Sequence, residues 1–523
     1  MFDILIKNGM LIDGTGVPMR KADVGIKDDK IKKIGDLHDE KAEAEVDAQG
    51  LLVCPGFIDV NNHSDTFWQI FLEPDLESLV YQGITTIIGG NCGSSLAPLA
   101  SPRTIESIQK WIDLKKINVD WLKAGEFFDF LDKKKFSVNF ATLTGHATLR
   151  RGILEDKMRN LVPKELDFVI KMLLESLREG SLGMSTGLIY THARLASEEE
   201  LTALAEVVKK MGGVYATHIR GEKEELLNSV EEAIRIAKKS KVKLHISHLK
   251  AMGSENWPKM VQALDLIDEA KKSGVDITFD VYPYTFTGSV LYALLPAWVS
   301  EGGKNMLIHR LRDRAVRAKV ISEMKESGFD YDKVEIAISP MDKTLARRKI
   351  VEIASSQGKS IEDAVLDILI ASEGRVITSA EVLSEENVRK AVVHPLSIIA
   401  TNGAGYNASH AVTGEMVHPR SFGTMTKIFS KYVSKEKILT WENAVKKMTS
   451  CPAEKFGIKK RGVLKEGNFA DIAVLDQGKI KDLSTKENPY QYSKGVEYLL
   501  VNGKIILKEG KYLGVRNGRI IRR

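Results

Sequence analysis

Short apolar runs alternate with longer amphipathic stretches through the middle of the chain. The apolar runs predict eight strands, at residues 57–60, 84–88, 139–144, 182–187, 214–217, 243–247, 276–282 and 396–401. Between them, apolar residues recur at helical spacing, for example at 163–179, 198–211, 222–240 and 256–273. This alternation is typical of βα units around a parallel sheet. Eight such units predict an α/β fold of the TIM-type (β/α)8 barrel.

The two ends of the chain resemble each other and differ from the middle. Residues 1–54 and 460–523 contain short strand-like runs separated by turn signals. Neither end has enough strands for a sandwich, so we predict one small β-sandwich domain formed from both termini. The barrel then occupies 55–459. The gap before its eighth strand is the longest, and 285–345 is predicted to be a lid-like insertion at the catalytic end.

Composition limits the size class, the partners and the cellular compartment that we expect for the protein. The chain has 523 residues, 43% hydrophobic and 28% charged, which suits a large barrel with a smaller domain. The net charge of +6 is spread without a dense basic block, so no nucleic-acid partner is expected. Three cysteines cannot form a disulfide framework, and neither a signal peptide nor a membrane-length apolar run is apparent. We therefore expect a cytoplasmic protein without a membrane partner.

Residues with catalytic potential lie where the predicted strands end. In a barrel these ends converge on one face, which carries the active site. Read in order, they give His63, Cys92, His146, His218, His248, Tyr282 or Tyr284, and Asn402. Cysteine and histidine are good zinc ligands, and a catalytic zinc keeps one position open for water. Cys92, His218 and His248 are therefore candidate ligands, although each alone could be an ordinary core residue.

Longer motifs make the interpretation more specific. They lie at residues 55–60, 90–93, 144–146, 185–190, 217–220, 247–250, 280–284, 418–420, 447–450 and 470–471. Together they resemble the D-aminoacylase (N-acyl-D-amino-acid deacylase) branch of the amidohydrolase superfamily over nearly the whole chain. The resemblance implies a barrel with a β-sandwich and one tightly bound Zn²⁺ on Cys92, His218 and His248. The cysteine takes the place of the carboxylated lysine that bridges the metals in hydantoinase-like relatives.

The resemblance also implies a small-molecule substrate with a carboxylate, such as an N-acyl amino acid. Lys250 and Arg420 match the residues that hold this carboxylate, and two cations with one bidentate fork fix its position well. Without the flanking motifs, a surface salt bridge would be the simpler interpretation of both. Tyr190 and Ser289 match pocket positions, and Tyr282 is a further substrate-binding candidate.

Two positions depart from the family pattern. Asn61 stands where the family has the first histidine of a His-x-His pair, so the second metal position is predicted to be weak or absent, with His63 as its remaining candidate ligand. Asn402 stands where the family has the aspartate that acts as general base. An amide cannot serve as a base near neutral pH, and losing acid–base catalysis costs roughly 10²–10⁴-fold in rate.

We therefore predict a zinc-dependent amide hydrolase in which zinc-activated water attacks the amide carbonyl, with Asn402 at the base position. Several explanations of the asparagines stay open. His63 or Asp65 could replace the base, or the Asn402-Gly403 pair could deamidate to give an aspartate. Alternatively, the protein is catalytically impaired or a non-catalytic binding protein, or it hydrolyses another C–N bond, in a cyclic amide or a D-dipeptide. A homo-oligomer is also left open.

Overall fold

Eight parallel strands form the barrel that the sequence predicts. The computed structural model describes residues 1–102, 104–105, 119–155, 157–301, 303–327 and 329–523. The barrel strands are Phe57–Asp59, Ile84–Gly89, Asn139–Thr142 with its continuation Thr144–Gly145, Gly183–Gly187, Val214–His218, Lys243–Ile246, Ile277–Val281 and Ser397–Ile399. They pair in chain order, and a parallel bridge between Asn62 and Gly403 returns the eighth strand to the first. The α/β class and the TIM-type barrel are confirmed.

Amphipathic helices cover the outside of the barrel. Four of them match the predicted stretches closely: Pro163–Glu179, Glu198–Lys210, Leu226–Ser240 and Lys259–Lys272. The other helices outside the long insertion are Gln69–Leu72, Glu77–Val80, Ala124–Lys133, His146–Leu154, Thr191–Arg194, Glu385–Val393, Arg420–Lys427, Trp441–Met448 and Ser450–Phe456, with a π-helix at Ile428–Lys435 and 3₁₀ turns at Ser254–Asn256 and Ala408–Thr413. Ser197 begins one helix by accepting the backbone N–H of Glu200, and this cap satisfies a donor that the helix leaves unpaired.

A separate layer lies between the seventh and eighth barrel strands. Its antiparallel strands, in sheet order, are Thr287–Val290, Ile377–Ala380 and Val334–Ile338. Its helices are Gly303–Arg312, Arg314–Glu326, Ile350–Gln357 and Ile361–Ala371, with 3₁₀ turns at Leu291–Leu294, Ala297–Ser300, Tyr331–Lys333 and Lys343–Leu345. The predicted insertion, 285–345, is too short, because the strand at 377–380 lies in the middle of this sheet. Positions 302 and 328 of that prediction lie outside the described residues.

Strands from both chain ends form the β-domain. One sheet has the order Lys30–Gly35, Asp23–Lys27, Phe2–Lys7 and Ala42–Asp47. The other has the order Lys511–Tyr512, Lys504–Lys508, Val496–Val501, Ile472–Leu475, Leu52–Pro55, Met10–Leu11 and Arg20–Lys21. Buried Ile6, Val24, Val474 and Leu500 share one apolar cluster, which explains why the two ends fold together. The domain limits at 54/55 and 459/460 stay predictions.

The last residues of the chain return to the barrel. The backbone N–H of Phe140 donates to Arg519, and Ile521 donates back to Phe140, so this segment runs beside the third barrel strand. Within the described ranges, no helix is both long and apolar enough to cross a membrane.

Candidate active site

The predicted site residues meet at one end of the barrel. A cavity of about 510 Å³ opens there, between the strand ends and the inserted layer. Of the candidates, its wall contains His63, Cys92, Tyr190, His218, His248, Lys250, Ser289, Asn402 and Arg420. Cavities of this size hold small molecules. The convergence that the strand ends predict is therefore present.

Three of these side chains could hold one metal ion. The ligand atoms of Cys92, His218 and His248 all lie within 4.8 Å of one another, and all three residues are buried. Cys92 Sγ is 3.5 Å from His248 Nε2. One thiolate and two imidazoles are a ligand set for Zn²⁺, and a catalytic zinc with three protein ligands keeps a fourth position for water. The donor set thus fits zinc.

The backbone around these ligands is held in an uncommon conformation. Cys92 has φ +52° and His248 has φ +38°, in the left-handed region that non-glycine residues rarely adopt. Gly93, next to Cys92, also has a positive φ, and a Cβ there would lie 2.8 Å from the backbone nitrogen of Gly187. Such local strain is typical of functional sites, where the surrounding structure enforces it. Here it turns Cys92 toward the two histidines.

A buried carboxylate lies behind the two histidines. Glu222 Oε1 is 3.2 Å from His218 Nε2, 3.2 Å from His248 Nδ1 and 2.5 Å from Lys250 Nζ. Burial alone raises the pKa of Glu222, but the charges of Lys250 and His218 outweigh it and hold this pKa well below its usual range. Glu222 is therefore an anion within reach of one nitrogen of each imidazole, as carboxylates beside metal-binding histidines are.

Asn61 points away from the cavity. It is fully buried and not part of the cavity wall. Its side-chain nitrogen donates to both oxygens of Asp280, at 3.3 and 3.2 Å. Asp280 also accepts the backbone N–H of His248 and contacts His245 Nε2. Asn61 is thus one part of a polar network that supports the loop carrying His248.

Asn402 and His63 form a pair beside the cluster. Asn402 Oδ1 lies 2.9 Å from His63 Nε2, and the same Nε2 is 4.0 Å from Cys92 Sγ. Asn402 also has a positive φ, +47°. The alternative base, Asp65, is buried away from the cavity wall, and its carboxylate accepts the backbone N–H groups of Thr66 and Gly90. Of the two proposed replacements for the base, only His63 reaches the cavity.

Arg420 is a buried cation with open hydrogen-bonding positions. Its Nε and Nη1 atoms find no hydrogen-bond partner among the described residues. Burial lowers the pKa of Arg420. Its guanidinium carbon lies 4.9 Å from the ring centre of Tyr282, so Tyr282, which is not part of the cavity wall, supports the arginine from behind. A buried charge without a partner is costly and points to an absent anion.

The other candidates occupy distinct places. Lys250 Nζ contacts Glu222, His248 Nδ1 and the His248 carbonyl. Tyr190 packs edge-on against His218, with ring centres 5.2 Å apart. Ser289 lies on the first strand of the inserted layer. His146 is outside the site: its ring contacts Glu200 at 2.8 Å in the core.

Sequence reasoning missed two carboxylates of this site, Glu222 and Asp280. Glu222 follows His218 by four residues, and this spacing was the only local signal. Asp280 is far from Asn61 in sequence, so their contact appears only when the barrel closes.

The chain is similar to known proteins both in sequence and in structure. A sequence model described as "Amidohydrolase family" matches residues 44–507. D-aminoacylase from Alcaligenes xylosoxydans xylosoxydans is 32% identical, over 100% of this chain and 98% of the relative. N-acyl-D-glutamate deacylase from Bordetella bronchiseptica, solved with zinc and a phosphonate inhibitor, is 29% identical with a TM-score of 0.84, over 100% of both chains. A solved D-aminoacylase is 29% identical with a TM-score of 0.83, over 100% of both chains. Its metal centre is described as binuclear, with one-metal activation and second-metal attenuation.

Proposed function

Because this chain belongs to the amidohydrolase family, we propose that it is a zinc-dependent amide hydrolase that removes the acyl group from N-acyl-D-amino acids. One observation carries the proposal: the Cys92–His218–His248 cluster lines the same cavity as Arg420, a buried cation whose Nε and Nη1 have no partner among the described residues. A substrate with an amide and a nearby carboxylate would contact both. The full-length similarity to D-aminoacylase supports this substrate class.

Cys92, His218 and His248 are the proposed zinc ligands, in one tight site. When bound, zinc supplies Lewis-acid polarisation of a carbonyl and lowers the pKa of water. A second metal would need ligands at positions 61 and 63, just after the first barrel strand, where the chain has Asn61 and His63. Asn61 instead donates to Asp280, and amide groups are poor zinc ligands. We therefore expect the second position to be weak or absent, unlike the binuclear centre described for D-aminoacylase.

His63 is the proposed proton-transfer residue, and Asn402 orients it. An asparagine amide can accept a hydrogen bond from a protonated Nε2 through Oδ1, or donate to a bare Nε2 through Nδ2. Asn402, 2.9 Å away, therefore suits both protonation states of the ring. His63 Nε2 has a single in-plane lone pair or N–H, so it would turn from Asn402 to take a proton during attack on the amide and to return it to the leaving nitrogen. Asn402 itself moves no proton.

Arg420 and Lys250 are proposed to bind the substrate carboxylate. Arg420 lines the cavity, its buried Nε and Nη1 have no hydrogen-bond partner among the described residues, and a guanidinium can hold a carboxylate through two parallel N–H groups. When His248 binds metal through Nε2, its Nδ1 carries the proton and donates to Glu222. Lys250 then keeps two acceptors, Glu222 and the His248 carbonyl. Its third N–H is left for the substrate. Tyr190 and Ser289 complete the pocket wall.

Turnover measured together with metal content tests this function. We expect about one zinc per purified chain and release of free amino acid from N-acetyl-D-amino acids. Both should be lost in Cys92→Ser. The control is Cys451→Ser, which removes a half-buried thiol outside the cavity wall. Binding of the substrate by the zinc-loaded chain without release of product would instead support a binding protein. Hydrolysis restricted to cyclic amides or D-dipeptides would support the other C–N hydrolase.

A further inference from the structure

The cavity offers apolar surface over much of its wall. The inserted layer contributes Val290, Leu294, Leu295 and Ile338, and Met416 lies in the loop after the eighth strand. All five are residues that transfer favourably from water to an apolar environment. A ligand that fills this space beside Arg420 therefore meets hydrocarbon more than hydrogen-bonding groups. An uncharged, apolar group on the ligand is favoured here.

Two cations in the cavity wall are already bound by carboxylates behind them. Arg220 holds Glu232 with two contacts, at 3.0 and 2.7 Å. Lys486 lies 2.7 Å from Glu335, which is on the strand Val334–Ile338 of the inserted layer. Both carboxylates lie behind the wall, since neither is among the residues that line the cavity. Each cation would have to divide its contacts between this carboxylate and any second anion.

Besides Lys250 and Arg420, two more cations line the cavity, and they are placed differently. Lys223 Nζ lies 4.1 Å above the ring centre of Phe329, a cation–π contact, and burial lowers the pKa of this lysine. Arg194 lies 3.8 Å from the half-exposed Glu225. Besides Glu222, three acids in the wall, Glu224, Glu225 and Glu323, add negative charge to the same space. A second substrate carboxylate would therefore meet cations that already contact carboxylates or, for Lys223, an aromatic ring, and acids that repel it.

We propose that the site selects N-acyl amino acids with a single carboxylate and an uncharged, apolar side chain. This substrate class rests on the proposed function and refines it. Arg420 is the wall cation with buried nitrogens that lack partners among the described residues, and the main-chain carboxylate of the substrate satisfies it. A side-chain carboxylate, as in a glutamate or aspartate derivative, would be desolvated against the apolar wall without a partner of its own.

The sharpest test compares two ligands of the same shape. N-acetyl-D-glutamine and N-acetyl-D-glutamate differ only in the charge at the end of the side chain, and N-acetyl-D-leucine provides the apolar reference. We expect kcat/KM for the glutamine derivative to exceed that for the glutamate derivative by about tenfold or more, the effect of one missing charge-assisted contact. The leucine derivative should exceed both. Equal or better turnover of the glutamate derivative would overturn the proposal.

A variant identifies the ion pair that sets this preference. Glu335→Gln removes the carboxylate bound to Lys486 and leaves a cation open to the cavity. The ratio of the glutamine to the glutamate derivative should then fall severalfold toward one. Glu45→Gln breaks a comparable pair with Lys7 in the β-domain and should leave the ratio unchanged. An equal fall in both variants, or no fall in Glu335→Gln, would refute this role of Lys486.

A binding measurement separates this proposal from the proposed hydrolysis. Calorimetry on the zinc-free chain measures affinity for the same three ligands without any turnover. Tighter binding of the leucine and glutamine derivatives supports the substrate class even if the zinc-loaded chain hydrolyses nothing, in which case only the proposed activity fails. Binding of none of the three, or tighter binding of the glutamate derivative, contradicts the substrate class itself.

Discussion

Replacing His63 with glutamine tests how this site moves protons. Glutamine keeps an amide that can contact Asn402, but it cannot carry a proton at neutral pH. His63 Nε2 lies 4.0 Å from Cys92 Sγ, so a substrate held at the cluster would be within hydrogen-bonding reach of it. Proton transfer by a positioned side chain is worth roughly 10²–10⁴-fold. We expect kcat to fall by about 10²-fold or more, a rise in the barrier of about 2.7 kcal/mol.

The assay pairs kcat on an N-acetyl-D-amino acid with zinc content. Zinc should stay near one per chain, because His63 is not among the three clustered ligands. A second change sharpens the test: Asn402→Asp in the His63→Gln background places a carboxylate beside the same position and should recover about tenfold or more of the lost rate. Asn402→Ala in that background should recover nothing. If kcat of His63→Gln stays within tenfold of the unaltered protein, the reasoning is wrong; if zinc is lost, His63 is a ligand.

Three further predictions follow from the same contacts. Glu222→Gln should weaken zinc binding about 10- to 100-fold in competition with a chelator, because the ligand histidines lose their anionic partner; the exposed Glu225→Gln is the control, and equal weakening would argue against this role. Asn61→His should raise bound zinc from one toward two per chain by adding an imidazole two residues from His63; unchanged stoichiometry would mean that the second position is closed. Peptide mass mapping should find Asn402 intact, because the backbone N–H that would attack its amide already donates to a threonine hydroxyl at 3.0 Å; an aspartate there in active protein would contradict this.

Local patterns in the sequence were sufficient to predict the barrel. Each strand is a short apolar run bounded by turns, and each outer helix carries a stripe of apolar residues, so neither depends on distant parts of the chain. The cluster of Cys92, His218 and His248 followed in turn, since strand ends of a barrel converge whatever the intervening sequence. The structure brings these three residues together, whereas His146, which was read from a strand end in the same way, lies outside the site.

The extent of the inserted layer depended on pairing that no local pattern specifies. The strand Ile377–Ala380 lies between Thr287–Val290 and Val334–Ile338, so the strand of this sheet that comes last in sequence is its middle strand. Helical stretches between these strands gave no sign that the sheet continued beyond residue 345. The partners of Glu222 and Asp280 were hidden for the same reason, because a buried carboxylate is recognised by what surrounds it after folding.

The two asparagines belong to one region of the barrel, the seam between its first and last strands. Asn61 and Asn402 lie directly beside the residues of the closing bridge, Asn62 and Gly403. A histidine and an aspartate at these positions would offer a second metal two more ligand groups, whereas two amides offer only neutral hydrogen-bonding groups. Asn402 is an uncharged hydrogen-bonding partner for His63. On the proposed one-zinc site the two asparagines act together: Asn61 leaves the second position without an imidazole, and Asn402 gives His63 a neutral hydrogen-bonding partner.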